Sequence, residues 1–375
     1  MDACDVLIVG GGPAGSSCAW ALRNSGLRVA ILDRQTFPRD KVCGGWITPA
    51  VLQELEIDSA EYARTRVLQP ITGFRTSTIG GPPVETRYQR PVSYGIRRFE
   101  FDDYLLKRSG ACLVQGESLT SLERSEGGWI LNGRIKTRSL VGAGGTFCPV
   151  ARYLGARVNR ETIVTAQEAE FEMDARQISG CSIQEDTPEL YFCRDLKGYG
   201  WCFRKSNVLN VGLGRLDPHR LSGHVADFLT FLKASGRLSF DVPGALPGHA
   251  YLLSSTARRN VVDEGILLIG DAAGVAYAQS GEGIRPAVES GLLAAIVIAE
   301  AQGRYSREQL ETYRTLLSGR FHKSESNWLT RIGGRLPAPA ISAVAQWVVA
   351  RPWFARNVIL NGWFLRQNEP ILSLS

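Results

Sequence analysis

The chain reads as an α/β protein in which a Rossmann-like dinucleotide-binding domain carries an antiparallel β-sheet domain and a helical C-terminus. Three stretches support this. Residues 5–18, "DVLIVGGGPAGSSC", run an apolar strand into a glycine turn and a small-residue helix. Residues 265–274, "GILLIGDAAG", repeat the strand-into-small-turn pattern far downstream. Residues 187–214, between them, read as a meander of three short strands.

The first strand, "VLIV" at 6–9, is apolar on both faces, as a central parallel strand must be. Gly10, Gly12 and Gly15 follow at G-x-G-x-x-G spacing, with Pro13 and Ala14 inside the turn. Gly10 makes the tight turn, Gly12 lets backbone amides approach a pyrophosphate, and Gly15 lets the helix pack on the strand. The helix N-terminus offers unpaired N–H groups to the anion. The second strand, "RVAILD" at 28–33, ends on Asp33 beside Arg34, where a carboxylate accepts from an adenosine ribose. Such a unit holds ADP, and by itself it does not separate NAD from FAD.

The downstream motif separates them. After an ADP-binding unit, Gly270 and Asp271 ask for a ligand that continues past the pyrophosphate, with Asp271 placed to accept from sugar-alcohol hydroxyls. The helix that opens at Gly281, Gly283 and Ile284 can set its positive end on a flavin's pyrimidine oxygen, which favours the reduced, anionic ring. FAD uses both motifs, whereas NAD would leave the second idle. The stretch "GAGGTF" at 142–147 has phenylalanine where a third glycine belongs, so it is not a second dinucleotide loop. An NAD(P)H or other electron donor would therefore dock transiently rather than own a domain.

In the meander, Tyr199, Trp201 and Phe203 lie at i, i+2 and i+4 and share one strand face. That face either fills a core or walls an aromatic pocket; glycines at 198, 200, 212 and 214 leave room for the second reading. In "TAQEAEFEMD" at 165–174 apolar residues alternate with Glu168, Glu170 and Glu172, which are expected to be solvated. His219 and His224, five apart, share no helical face and read as loop or surface residues. Arg39 and Lys41 read as a surface pair of charges.

Bulk properties bound the function class. The 375 residues suffice for two cores, and the net charge of +6 hints at anionic ligands. No basic-aromatic run suits nucleic acid, and no apolar run reaches the roughly 18 residues of a membrane span. Eight scattered cysteines form no CxxC pair and no secretory leader opens the chain, so free thiols in a reducing cytoplasm are expected. The four histidines show no metal-ligand spacing, and no metal site is expected. The stretch 344–367 holds three of the eight tryptophans, interleaved with arginine. Three readings of it stand: a helical pair packed on the second domain, a lid over a lipophilic tunnel, or a peripheral membrane face, against which Pro352 speaks by breaking the long helix.

The glycine loop, Asp33 and "GDAAG" together resemble the FAD-binding framework of para-hydroxybenzoate hydroxylase-like monooxygenases, flavin halogenases and geranylgeranyl reductases. "RDKVCGGWITP" at 39–49 and "YGWCFRKSNVLNVGLG" at 199–214 are similar to two signatures of the geranylgeranyl reductases. "IRRFEFDDYLL" at 96–106 resembles the superfamily's Arg-x-x-Phe-Asp segment, which implies that Arg98 reaches FAD. The resemblance spans about residues 1–305. It places Cys43 beside the isoalloxazine, where a cysteine is otherwise an inert small hydrophobe. It also implies a substrate pocket of Trp46, Tyr199, Trp201 and Phe203; in a reductase Cys43 and Tyr199 are the candidates for a proton donor, whereas in a monooxygenase or halogenase Trp201 would guard the pocket. Two positions depart from the pattern. Gly144 replaces the hydroxylases' aspartate, which bears on nicotinamide use, and Arg204 stands where reductases and halogenases have proline.

The expected organisation is an FAD-binding domain of 1–70, 95–160 and 255–305, a substrate-binding β-sheet domain of 71–94 and 161–254, and a helical segment of 306–375. The expected activity is FAD-dependent reduction of a carbon–carbon double bond in a lipophilic, isoprenoid-like substrate. An FAD-dependent monooxygenase, hydroxylase- or halogenase-like, on an aromatic or natural-product substrate is the alternative, and a flavin electron carrier is the non-enzymatic reading. A redox partner and peripheral membrane contact through 344–367 are further expectations, in a cytoplasmic protein.

Overall fold

In a computed structural model, residues 3–158, 161–217, 219–321 and 338–373 are described. The first strand, Ala3–Val9, pairs in parallel with Val29–Asp33 on one side and Ile135–Gly142 on the other. Cys112–Gln115 and Ile266–Leu268 extend the sheet in parallel at either end. Short antiparallel additions, Leu122–Ser125 with Gly128–Leu131 and Val262–Asp263, complete eight strands. Every residue from Val6 to Ile8 is fully buried, because helices cover both faces of a parallel sheet. The strand order reverses at Ala3–Val9, so a crevice opens beyond its carboxyl end, where Gly10 sits.

The helix Pro13–Leu22 follows the glycine turn, with proline at its first position, where the missing N–H costs nothing. Its neighbour is Ile284–Glu300, the long helix after the downstream motif. The two helices cross closely, because at Gly291 any side chain would collide with the Ala14 carbonyl.

The second sheet has seven strands in the order Gly248–Leu252, Ile163–Glu172, Val208–Arg215, Gly198–Lys205, Glu189–Phe192, Gly73–Thr78 and Val84–Arg87. It is antiparallel as expected, except that Glu189–Phe192 and Gly73–Thr78 run parallel. One face packs under the helix Leu221–Ala234, through Val225, Phe228 and Leu232. The opposite face carries Trp201 and Phe203 towards the nucleotide-binding half. A three-stranded sheet of Trp46–Ile47, Ser93–Ile96 and Leu68–Ile71 lies between the two halves in sequence.

The segment after 305 does not act as one unit. Arg307–Leu310 and Thr312–Phe321 pack on the nucleotide-binding core through Leu310, Tyr313, Leu317 and Phe321. Residues 322–337 lie outside the described residues. Beyond them a helix, Ala338–Val349, stops before Pro352, and a π-helical turn, Ala355–Phe364, packs on the second sheet through Ile359, Leu360 and Phe364. The split follows from the apolar residues: the Thr312–Phe321 helix buries Tyr313 and Leu317 in the nucleotide-binding core, where the Tyr313 hydroxyl donates to the Leu268 carbonyl at 2.8 Å. No helix among the described residues is long and apolar enough to cross a membrane.

Candidate functional site

A cavity of about 800 Å³ runs from the glycine turn to the aromatic face of the second sheet. Gly10, Gly12, Pro13, Ala14, Asp33 and Arg34 line its first end. Gly10 has φ +118°, and a Cβ there would overlap the Ala143 carbonyl oxygen, so only glycine fits the turn. Asp33 accepts from the Gly11 N–H at 2.6 Å and the Gln35 N–H at 2.8 Å, which fixes the loop and leaves lone pairs for a ribose. Gly15 and Gly270 do not reach the cavity; a side chain at either would strike the turn or Ala14, so both serve close packing.

Cations gather in the middle of the cavity. Arg98 is buried and grips Asp102 with two bonds of 2.7 Å, from Nε and Nη2. Burial works against its charge, but Asp102 more than compensates and raises the guanidinium above its ordinary pKa. Arg39 Nη2 lies 3.2 Å from the same carboxylate, while its Nη1 is buried without a partner among the described residues. Lys41 Nζ lies 2.9 Å from Nδ1 of His249. Burial, reinforced by Arg98, pushes this amine down to about 8. Arg39 and Lys41 are thus not a surface pair. They turn inward to line the cavity beside Gly12, whose vacant Cβ position has nothing nearer than Arg39 at 3.6 Å.

Asp271 faces this cluster and lies 3.5 Å from His249 Nε2. Burial acts against its charge, yet His249, Lys41 and Arg98 hold the carboxyl below the usual carboxylate range. Burial lowers His249 in turn, against the pull of Asp271. Gly281, Gly283 and Ile284, at the start of the Ile284–Glu300 helix, line the wall next to it. Between them, burial pushes Glu282 up to about 7.

The far end is apolar. Trp46, Tyr199, Trp201, Phe203 and Phe364 line it, and Phe364 stacks on Trp46 with centroids 5.3 Å apart and planes 12° apart. The Tyr199 hydroxyl donates to the Ser280 carbonyl, so its only proton is already engaged. Trp201 Nε1 donates to Asn210 Oδ1 at 2.7 Å, and Asn210 Nδ2 donates to the Cys43 carbonyl at 3.1 Å. Gly212 makes this fit possible, because a side chain there would strike both the Trp201 ring and the Glu168 Cβ. Cys43 is half-buried in the cavity wall; its Sγ accepts from the Gly45 N–H at 3.5 Å and lies against Arg98.

The glutamates of 165–174 differ from the expectation of a solvated row. Glu172 is exposed, but Glu170 pairs with buried Lys205 at 2.6 Å, and Glu168 is 3% exposed and lines the cavity. The reason is the position of Ile163–Glu172 inside the sheet, between Gly248–Leu252 and Val208–Arg215, where one face meets the nucleotide-binding half. His219 is exposed, as expected, whereas His224 is half-buried on the Leu221–Ala234 helix. Arg39, Lys41, Glu168 and His249 are therefore site residues that the sequence reading did not assign. Gly212, directly opposite Glu168 in the sheet register, was the available signal that both side chains needed room.

The residues fit FAD. Three inward cations and a helix N-terminus meet the charge of a pyrophosphate, the unpartnered Arg39 Nη1 asks for an acceptor there, and Asp33 and Asp271 stand at the two sugar ends.

A model of the FAD dependent oxidoreductase family matches residues 5–78. Over 354 residues the chain is 30% identical to a menaquinone reductase of Mycobacterium tuberculosis, an alignment covering 87% of this chain and 82% of that one. It is 25% identical over 333 residues to a digeranylgeranylglycerophospholipid reductase of Methanococcus vannielii, covering 85% and 83%. Among solved structures, a geranylgeranyl bacteriochlorophyll reductase-like protein of Thermoplasma acidophilum superposes with a TM-score of 0.77 at 23% identity, covering 96% of both chains. The halogenase PltM superposes with a TM-score of 0.71 at 18% identity, over 97% of this chain and 82% of that one. These two likenesses are of fold.

Proposed function

This chain belongs to the geranylgeranyl reductase family of FAD-dependent oxidoreductases, and from that membership we propose that it saturates a carbon–carbon double bond in the isoprenoid chain of a lipophilic substrate. One observation carries the reading: the cavity that fits FAD continues into an apolar end walled by Trp46, Tyr199, Trp201, Phe203 and Phe364. FAD, when bound and reduced, supplies a hydride to one carbon of the double bond. The protein's part is to hold the cofactor on Arg39, Lys41, Arg98, Asp33 and Asp271, to keep the chain between aromatic walls, and to exclude water. The relatives' names supply the substrate class, since menaquinone and digeranylgeranylglycerophospholipid both carry polyprenyl chains.

Two finer points belong to the same reading. The C-terminal turn contributes Phe364 to the apolar wall, while Trp347 and Trp353 are 61% and 69% exposed beside Arg351 and Arg356, a face suited to an anionic lipid surface that holds such a substrate. A nicotinamide or a protein redox partner would supply electrons through transient contact.

The test incubates dithionite-reduced, FAD-loaded protein anaerobically with menaquinone and with a digeranylgeranyl lipid. Gain of a pair of hydrogens in the polyprenyl chain, read by mass spectrometry, supports the reading; unchanged chains with both substrates overturn it. Loss of binding to anionic phospholipid vesicles in a W347S/W353S variant tests the surface.

A further inference from the structure

Double-bond reduction needs a proton as well as a hydride, and the hydroxyl and indole of the aromatic end are unequal to supplying it. Tyr199 has committed its hydroxyl to the Ser280 carbonyl, and Trp201 its N–H to Asn210. His249 is held between Lys41 and Asp271. Glu168 is different. Its Oε1 accepts from the Cys43 backbone N–H, which ties the carboxyl to the loop carrying the family's Cys-Gly-Gly segment. Its Oε2 is buried and has no partner among the described residues. A carboxylate oxygen left this way is strongly disfavoured unless it carries a proton or meets a ligand.

We propose that Glu168 is the proton donor of the reduction, its Oε2–H delivered to the substrate carbon that does not receive the hydride. This rests on the functional reading above. The hydride's electron pair forms one C–H bond as FAD returns to its oxidised state. The π pair of the double bond closes on the Glu168 proton to form the other, leaving a carboxylate on Oε2. Water entering as product leaves restores the proton.

The surroundings suit a group that is neutral at rest and tolerates charge briefly. Burial pushes Glu168 up to about 7, and Glu170 on the same strand adds to the effect. The Cys43 N–H from the loop, Asn210 from the adjacent strand and Lys205 from the strand beyond it pull the other way and stabilise the carboxylate once formed. Gly212 gives the side chain its space, since any larger residue opposite would press on its Cβ. Tyr199, read from sequence as a proton donor, is instead a wall of the pocket.

The experiment compares wild type with E168Q, which keeps an acceptor for the Cys43 N–H. FAD titration should be unchanged in E168Q, showing the loop intact. With the menaquinone or digeranylgeranyl lipid that wild type reduces, kcat should fall about 100-fold or more, the lower range for a lost general acid. The wild-type kcat should decline as pH rises through about 7, because the acid form is the active one, and E168Q should lose that limb. In the apoprotein, the infrared intensity of protonated carboxyls below that pH should fall by one group in E168Q, while Glu282 keeps its own band. Should E168Q not fold, E168D, which withdraws the acid by one methylene, takes its place and should lower kcat without moving FAD affinity. Equal kcat in wild type and variant, or an alkaline limb that disappears in E282Q instead, overturns the assignment while leaving the functional reading standing. A wild type that reduces neither lipid removes the reading and this proposal with it.

Discussion

Replacing Asp102 by asparagine keeps the side chain's shape and removes the carboxylate in direct contact with two inward cations, Arg98 and Arg39. Asp102 is fully buried; it takes both bonds of the Arg98 fork at 2.7 Å and lies 3.2 Å from Arg39. Deleting one partner of a buried pair costs about 3–5 kcal/mol, because the remaining charge is stranded. The side chains of Arg98 and Arg39 are 10% and 16% exposed, and the cavity admits water to them without FAD, so the lower end, about 3 kcal/mol, applies to the apoprotein. FAD brings a diphosphate to the same cations and replaces much of the missing charge. D102N should therefore lose less stability with FAD than without it, and by linkage the variant binds FAD more tightly than wild type. Urea denaturation of both forms at neutral pH, with a flavin fluorescence titration, measures each quantity. A loss below about 1 kcal/mol in the apoprotein, or equal losses in the two forms, would refute the view that these cations are arranged for an anion.

Three other outcomes follow from the same geometry. G10A should fold poorly or without FAD, because its φ of +118° and the Ala143 carbonyl leave no place for a methyl group; the flavin-to-protein absorbance ratio checks this. W201F should leave FAD loading intact but strand buried Asn210 Oδ1, at a cost of about 1–3 kcal/mol by thermal or chemical denaturation. FAD affinity should weaken as pH rises above about 8, where the cofactor-free Lys41 loses its charge and the diphosphate must reprotonate it; K41M should abolish that dependence in a fluorescence titration.

What could be read from sequence was local. The turn from Gly10 to Gly15 and the motif at Gly270–Asp271 are contiguous, and each residue's task follows from backbone sterics or a helix terminus. The strand face of Tyr199, Trp201 and Phe203 was legible for a similar reason, since alternation assigns residues to faces. Alternation does not say which face is buried. Glu168 and Glu170 therefore looked solvated, and only the placement of their strand between two others turns them against the nucleotide-binding half. Arg39 and Lys41 looked like surface charges because their partners, Asp102 and His249, are distant in sequence. His249 had no spacing signal at all; its meaning comes from Lys41 and Asp271, which are distant in sequence and adjacent in space. The split of the C-terminal segment was equally hidden, since helical pattern does not choose between two apolar surfaces.

The central claim is that one cavity joins an FAD site to a lipophilic slot in which a double bond is reduced. A single anaerobic turnover tests it most directly: dithionite-reduced holoprotein is mixed with menaquinone or a digeranylgeranyl lipid while flavin absorbance is followed and the lipid is then weighed by mass spectrometry. The oxidised flavin spectrum should return together with a polyprenyl chain richer by a pair of hydrogens. A flavin that stays reduced until air is admitted, with the lipid unchanged, would contradict it.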